Sequence, residues 1–290
     1  MSGDARAGGG SPSSTLIVST YNWPRALELA LGSALRQEQL PTEVLVADDG
    51  SGPETRAVIE QLAPEFERRG VPLVHVWQED RGFRKASVMN EAFALARSDY
   101  LLTVDGDVVL HPDFVRSHLA FARPRTFVQG GRVLLSPERT EDALQRRELR
   151  VSAFSRGVRN RANAVSAPWL ASLLPQPSEQ LKGARGVNLA MWREDVYAVN
   201  GYDERFQGWG REDSELTARL LAHGLRRRRL RFAGIVYHLW HPEQPRETLA
   251  QNDRLFEEAT AAGSTWCEHG VSQHLARRAE ADAPPDFVVR

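Results

Sequence analysis

Cysteine is almost absent: Cys267 is the only one in 290 residues. That excludes an internal disulfide and a zinc–thiolate cluster, and it fits a reducing, cytosolic setting. Long apolar runs are missing too. No window approaches the roughly 20 apolar residues needed to cross a bilayer. The first fourteen residues, MSGDARAGGGSPSS, lack the apolar stretch of a signal peptide and read as a disordered tail, 1–14. Neither sign of charge dominates, with 37 basic against 38 acidic residues and a net charge of −1. A dedicated nucleic-acid binder would be clearly basic, so that class is disfavoured. What is present is a hydrophobic fraction of 41%, enough for one large domain or one domain with a substantial insertion.

The stretch around which the chain is organised is Tyr100 to Val109, YLLTVDGDVV. Leu101 to Val104 predicts a buried strand, and Asp105-Gly106-Asp107 stands where it ends. Glycine lets the backbone bend so that both carboxylates turn to one point. At the carboxyl end of a central strand that point lies in a ligand crevice. Two hard oxygen donors there suit Mg²⁺ or Mn²⁺ sharing its shell with substrate phosphates. An acidic β-turn is the competing reading.

Before this stretch the pattern alternates. Thr15–Thr20 predicts a first strand. A helix from Pro24 to about Arg36 follows, with Leu27, Ala30, Leu31, Ala34 and Leu35 on one face. Glu43–Ala47 and Val71–Trp77 predict strands on either side of a helix from about Glu54 to Arg69. Such alternation marks a parallel sheet covered on both faces. After the acidic triplet, Thr126–Leu135 predicts a strand pair or a bent strand. Residues 136–180 read as a helical insertion or lid, Leu181–Met191 as strand-like, and 245–290 as a peripheral helical extension with a loose tail.

Four further constellations carry chemistry. Asp48-Asp49-Gly50-Ser51 ends the second strand, where a carboxylate can hold a base N–H or a ribose hydroxyl; helix capping is the plainer alternative. Arg84 and Lys85 precede a helix and can neutralise a diphosphate, and Asn90, polar on that apolar helix, can tie the loop to the core. Glu212-Asp213 opens a helix behind Gly208-Trp209-Gly210, a ring on a glycine hinge beside two acids that suits a sugar. His238 and His241 follow a strand. One neutral imidazole added to the carboxylate pair would complete a Mn²⁺ site.

Together these segments resemble family 2 glycosyltransferases of the GT-A fold. The motifs are STYN (19–22), ADDGS (47–51), QEDRGFRKASVMNEAF (78–93), VDGD (104–107), KGARGVNLAMWR (182–193), GWGREDSEL (208–216) and YHLWHP (237–242). Their order and spacing are similar to bacterial chondroitin-polymerase-type transferase domains, and Gly-Trp-Gly-x-Glu-Asp also resembles the animal β-galactosyltransferases. The resemblance implies a Rossmann-like, mostly parallel sheet flanked by helices over 15–244; segment 136–180 has no counterpart in it, and the acceptor or lid insertion there is read from its composition alone. It implies that Thr20 and Asp49, with Tyr21 and Asp48 close by, hold the uracil and ribose of a UDP-sugar, and that Arg84 meets the diphosphate. Asp105 and Asp107 would serve metal and ribose–phosphate, Asp107 more directly, with His238 and more weakly His241 as further Mn²⁺ or Mg²⁺ ligands. Asp213 matches the family's base. Glu212, Trp209, Asn188 and Gly186 would meet donor or acceptor sugar.

The implied activity is metal-dependent, inverting transfer to a glycan or lipid-linked acceptor in bacterial polysaccharide or lipopolysaccharide assembly. A nucleotidyltransferase and a non-catalytic sugar-binding scaffold are the alternatives. The basic run 226–231, with the apolar island at Trp169, is read either as a peripheral contact at the inner face of the membrane or as a solvated strand edge.

Overall fold

The computed structural model describes residues 11–171, 173–174, 178–181, 183, 186–242 and 246–280. The expected tails at 1–10 and 281–290 lie outside the described residues, and Ser14 already belongs to the first strand.

The first half follows the alternation read from the sequence. Strand β1 (Ser14–Thr20) leads to α1 (Pro24–Leu35), β2 (Glu43–Asp48), α2 (Pro53–Arg68), β3 (Leu73–Trp77), α3 (Lys85–Leu95) and β4 (Tyr100–Asp105). Pro24 and Pro53 stand in the first turns of their helices, where the missing N–H is no loss. The second half runs β5 (Val108–Leu110), α4 (Phe114–Phe121), β6 (Thr126–Gly130), β7 (Arg132–Leu134) and α5 (Pro137–Arg146). After a 3-10 turn at Arg161–Ala164 come α6 (Pro168–Ala171), β8 (Asn188–Trp192), α7 (Arg193–Ala198), α8 (Glu212–Ala222), β9 (Arg226–Leu230), β10 (Val236–His238), α9 (Leu249–Ala261) and α10 (Val271–Glu280).

Seven strands form the main sheet in the order β3-β2-β1-β4-β8-β6-β9. All its pairings are parallel except those of β8, which runs antiparallel to both β4 and β6. Two reversals cancel, so β6 and β9 point the same way as β4, and their carboxyl ends share the edge that carries Asp105. A smaller sheet, β5-β10-β7, stands beside it.

Side chains alternate across a strand, and here both faces are covered. Leu16, Val18, Val44, Val46, Leu102 and Val104 pack with Leu27 and Leu31 of α1 and with Ile59 and Phe66 of α2. Ile17, Leu45 and Leu101 face the other way, onto Met89 and Phe93 of α3, Leu216 and Leu220 of α8, and Val271 of α10. Each such fully buried aliphatic side chain contributes about 1.5–3 kcal/mol.

Of the two readings of 126–135, a strand pair or a bent strand, the pair holds, and its members lie in two sheets, parting at Gly130-Gly131. Two other expectations change. The segment expected as a lid begins with α5, whose Ala143 and Leu144 pack into the core beneath the small sheet, and Thr140 Oγ1 accepts the Trp240 N–H at 2.8 Å. The C-terminal extension is not peripheral. His274 of α10 is buried between Glu91 of α3 and Glu204, and Asn252 of α9 donates to the carbonyls of Gln207 and Gly210.

Candidate functional site

Three side chains from distant segments meet where β4 and β10 end. Asp107 Oδ2 lies 3.1 Å from His241 Nε2 and 3.4 Å from His238 Nε2. One ligand atom from each of the three fits within 4.8 Å of the others. Asp107 Oδ1 is buried without a hydrogen-bond partner, which a cation would satisfy. Two imidazoles and one carboxylate suit Mn²⁺ better than Mg²⁺, which prefers an all-oxygen shell. The hydrogen bond to Asp107 raises the His241 pKa above its ordinary value, against the opposing effect of burial.

Asp105 stands apart from this trio. Its Oδ1 accepts from Lys85 Nζ at 2.8 Å and from Ser19 Oγ at 3.1 Å. Burial pushes its pKa up, but the Lys85 ammonium, by charge and hydrogen bond, holds the carboxyl below its usual range. The same ammonium is 3.9 Å from Asp213 Oδ2. Lys85 therefore couples the strand-end acid to the acid at the start of α8. Asp213 is itself held: Tyr202 donates its hydroxyl to Oδ1 at 2.9 Å, and the Gly186 N–H donates to Oδ2 at 2.9 Å. A Cβ at position 186 would sit 1.9 Å from that carboxylate, so only glycine lets the backbone come this close. Tyr202 is fixed in turn by Asn90, which exchanges hydrogen bonds with its N–H and C=O.

Glu212, next to Asp213, is buried and its Oε2 has no hydrogen-bond partner. Burial, and then the charge of Asp213, push its pKa from an ordinary 4.5 to about 7. The folded state thus holds a proton that the unfolded chain releases near 4.5. The stability this residue contributes is present below that pH and is lost as pH rises through about 7. Glu212→Gln, which cannot ionise, should gain in melting temperature relative to the natural protein between about pH 5 and about pH 8. A constant difference across that range would show that Glu212 ionises as an exposed acid does.

Comparison with known proteins gives the frame for this geometry. Residues 15–173 match the model of glycosyl transferase family 2, and residues 171–242 match that of the N-terminal domain of galactosyltransferase. The chain belongs to glycosyl transferase family 2. It is 30% identical over 239 residues to a validoxylamine A glucosyltransferase of Streptomyces hygroscopicus subsp. limoneus, covering 74% of this chain and 49% of that one. It is 24% identical over 254 residues to a chondroitin synthase of Escherichia coli, covering 81% and 36%. The chain therefore spans about half or less of the length of these relatives. Among solved structures it resembles the mannosyltransferase PcManGT of Pyrobaculum calidifontis, in complex with GDP-Man and Mn²⁺ (TM-score 0.54, 18% identity, 96% of this chain and 78% of that one). It also resembles a fragment of S. aureus TarS in complex with UDP (TM-score 0.59, 16% identity, 91% and 70%). The α/β sheet is thus a GT-A fold, and the nucleotidyltransferase reading gives way to membership of glycosyl transferase family 2.

Several residues singled out in the sequence are placed differently by the family's fold. Asp48 is fully buried, accepting the Ser51 N–H at 2.8 Å and meeting His75 at 2.9 Å; it closes the turn ahead of α2 without capping that helix, whose N-cap, Gly52, has no side-chain capping bond. Asp49 is buried and accepts from Gln78 and from the Arg84 N–H. Burial raises its pKa, and its carboxylate anchors the loop 78–84. Arg84 turns its guanidinium back to the Glu79 carbonyl, and the cation at the site is Lys85. Thr20 is buried at the end of β1, and Tyr21 is half exposed with its hydroxyl on Asp80 at 3.0 Å. Asn188 is fully buried, spending its amide on the carbonyls of Gly131 and Gly234 and on His118, so it braces the two sheets and does not reach a sugar. Trp209 is exposed under Arg246, 5.3 Å from its ring centre. Asn252 ties down the loop that carries it, in place of the expected hinge.

Tyr202 was not singled out by sequence reasoning, and Lys85 was named only beside Arg84 for a diphosphate, not as the partner of Asp105 and Asp213. A signal for Lys85 existed: it is the first residue of α3, where the helix dipole disfavours a cation, so a lysine there points to nearby carboxylates. The basic run is mostly strand β9. Arg227 is buried with Nη1 on Gln129 at 3.0 Å, and Arg228 donates to the Phe121 carbonyl and lies over that ring. These two are not presented to a lipid surface. Trp169 is exposed, and no helix among the described residues is long and apolar enough to cross a membrane.

Proposed function

We propose that this chain transfers a sugar from a UDP-sugar to a hydroxyl of a glycan or lipid-linked acceptor, with inversion and with a divalent cation, in bacterial polysaccharide assembly. The observation that carries the reading is the continuity of one sheet edge. Asp107, His238 and His241 form a cation-binding trio, and Asp105 and Lys85 link that corner to Asp213. A nucleotide-sugar donor is further supported by the GDP-Man and UDP complexes of the structural relatives.

Asp213 takes the proton of the attacking acceptor hydroxyl as its oxygen bonds to the anomeric carbon and the bond to the diphosphate oxygen breaks. The hydrogen bonds from Tyr202 and Gly186 fix the carboxylate in place before the acceptor arrives. Lys85 supplies positive charge between base and donor, where the departing diphosphate gains negative charge. Asp107, His238 and His241 would hold the cation, which when bound supplies Lewis-acid stabilisation of that leaving group. Glu212, its pKa raised to about 7, keeps a protonated fraction near neutral pH that is able to donate to a sugar hydroxyl.

A melting-temperature screen of UDP, GDP and their sugar conjugates, with and without Mn²⁺, tests this. Uridine nucleotides should stabilise the protein only when Mn²⁺ is present. Equal stabilisation with and without Mn²⁺, or none by any nucleotide, would contradict it.

A further inference from the structure

A cavity of about 500 Å³ opens at the carboxyl ends of β6 and β9, on the edge shared with Asp105. Its size is that of a small-ligand site. Gln129, Asn163, Gln180, Arg229 and Arg231 line it, and no carboxylate is among its described lining residues. Along β9 the odd-numbered arginines share a face. Burial and then the positive charge of Arg229 lower the pKa of Arg227 on the same strand. The floor is rigid. Asn188 pins the Gly131 carbonyl at 3.1 Å, and a Cβ on Gly130 would overlap the Asn188 amide at 2.2 Å. The Gln129 amide holds the Gly183 carbonyl at 3.0 Å, and three residues on, Gly186 donates to Asp213. Chain length alone keeps those two Cα atoms within about 11 Å of each other.

We infer that this cavity is an acceptor subsite for a sugar bearing an anionic group, a carboxylate or a phosphate, bound by Arg229 and Arg231 while a neighbouring hydroxyl faces Asp213. The inference rests on the glycosyl-transfer reading for the role of Asp213, and it adds the class of acceptor. Guanidinium groups hold such anions through charge-assisted, often bidentate hydrogen bonds, and neutral sugars make no equivalent contact.

The test measures equilibrium binding of methyl β-glucuronide, glucose 6-phosphate and methyl β-glucoside by ligand-observed NMR at fixed ionic strength, so it needs no turnover. At least one anionic probe should bind about tenfold or more tighter than the glucoside; which one does so separates carboxylate from phosphate. Arg229→Gln/Arg231→Gln should remove the preference, and Arg229→Lys/Arg231→Lys should keep part of it, with melting temperatures confirming that both fold. Equal binding of all three probes, or a preference that survives in the folded glutamine variant, would overturn the inference. UDP–Mn²⁺ binding is measured in parallel. Its absence alongside a retained anion preference would count against the donor site and leave the subsite standing.

Discussion

Asp213→Asn should lower sugar transfer by about 10²-fold or more while leaving UDP binding within about twofold of the natural protein. The substitution is nearly isosteric, and its surroundings tolerate it. The Gly186 N–H needs an acceptor and keeps one in the amide oxygen, while the Tyr202 hydroxyl can rotate to accept from the new NH₂ group. What is lost is the capacity to take a proton from the acceptor. A positioned base contributes roughly 10²–10⁴-fold, and loss of the negative charge beside Lys85 adds to the effect. Steady-state transfer together with calorimetry of UDP separates the two properties. Unchanged turnover in a protein that still binds UDP would remove Asp213 from the base role.

Asp107→Ala should abolish the part of UDP affinity that depends on Mn²⁺. Asp107 is the only carboxylate in the trio, and both imidazoles approach the same oxygen. Without it two neutral donors remain on a cation that favours carboxylate oxygen. The side chain's Oδ1 has no protein hydrogen bond to lose, so the fold should suffer less than the site. Calorimetry of UDP with and without Mn²⁺ should give one weak affinity for the variant and two distinct affinities for the natural protein. Full Mn²⁺-dependent affinity in Asp107→Ala would place the cation elsewhere.

The first half of the fold was legible because its physics is local. Runs such as Leu16-Ile17-Val18 and Leu101-Leu102 read as buried strands, and the 3-and-4 spacing of Leu27, Ala30, Leu31 and Ala34 reads as one helix face. The second half was harder. Strand β9 reads RRRRL and has no apolar alternation to show; its arginines are accommodated by Gln129, by the Phe121 ring and carbonyl, and by Glu179. The three-residue strands β5 and β10 are too short for a period.

At this edge Asp107, His238 and His241 lie together, while Asp105, expected with them as a metal ligand, is held instead by Lys85 and Ser19, and Lys85 also reaches Asp213. Residue type alone could not separate a carboxylate that faces the crevice from Asp48, which faces a turn and His75. Nor could it show that Asn188, one step past the segment that reaches Asp213, turns inward onto three partners. Those distinctions depend on strand register and on backbone approach, which arise only when the sheet assembles.

Pulsed electron paramagnetic resonance of Mn²⁺ bound together with UDP is the most direct measurement. Nitrogen couplings from the His238 and His241 imidazoles and a phosphorus coupling from the nucleotide should appear on one and the same ion, and the nitrogen couplings should vanish when both histidines are replaced by alanine. Phosphorus coupling without histidine nitrogen, or nitrogen without phosphorus, would mean that the trio and the donor diphosphate do not share a site.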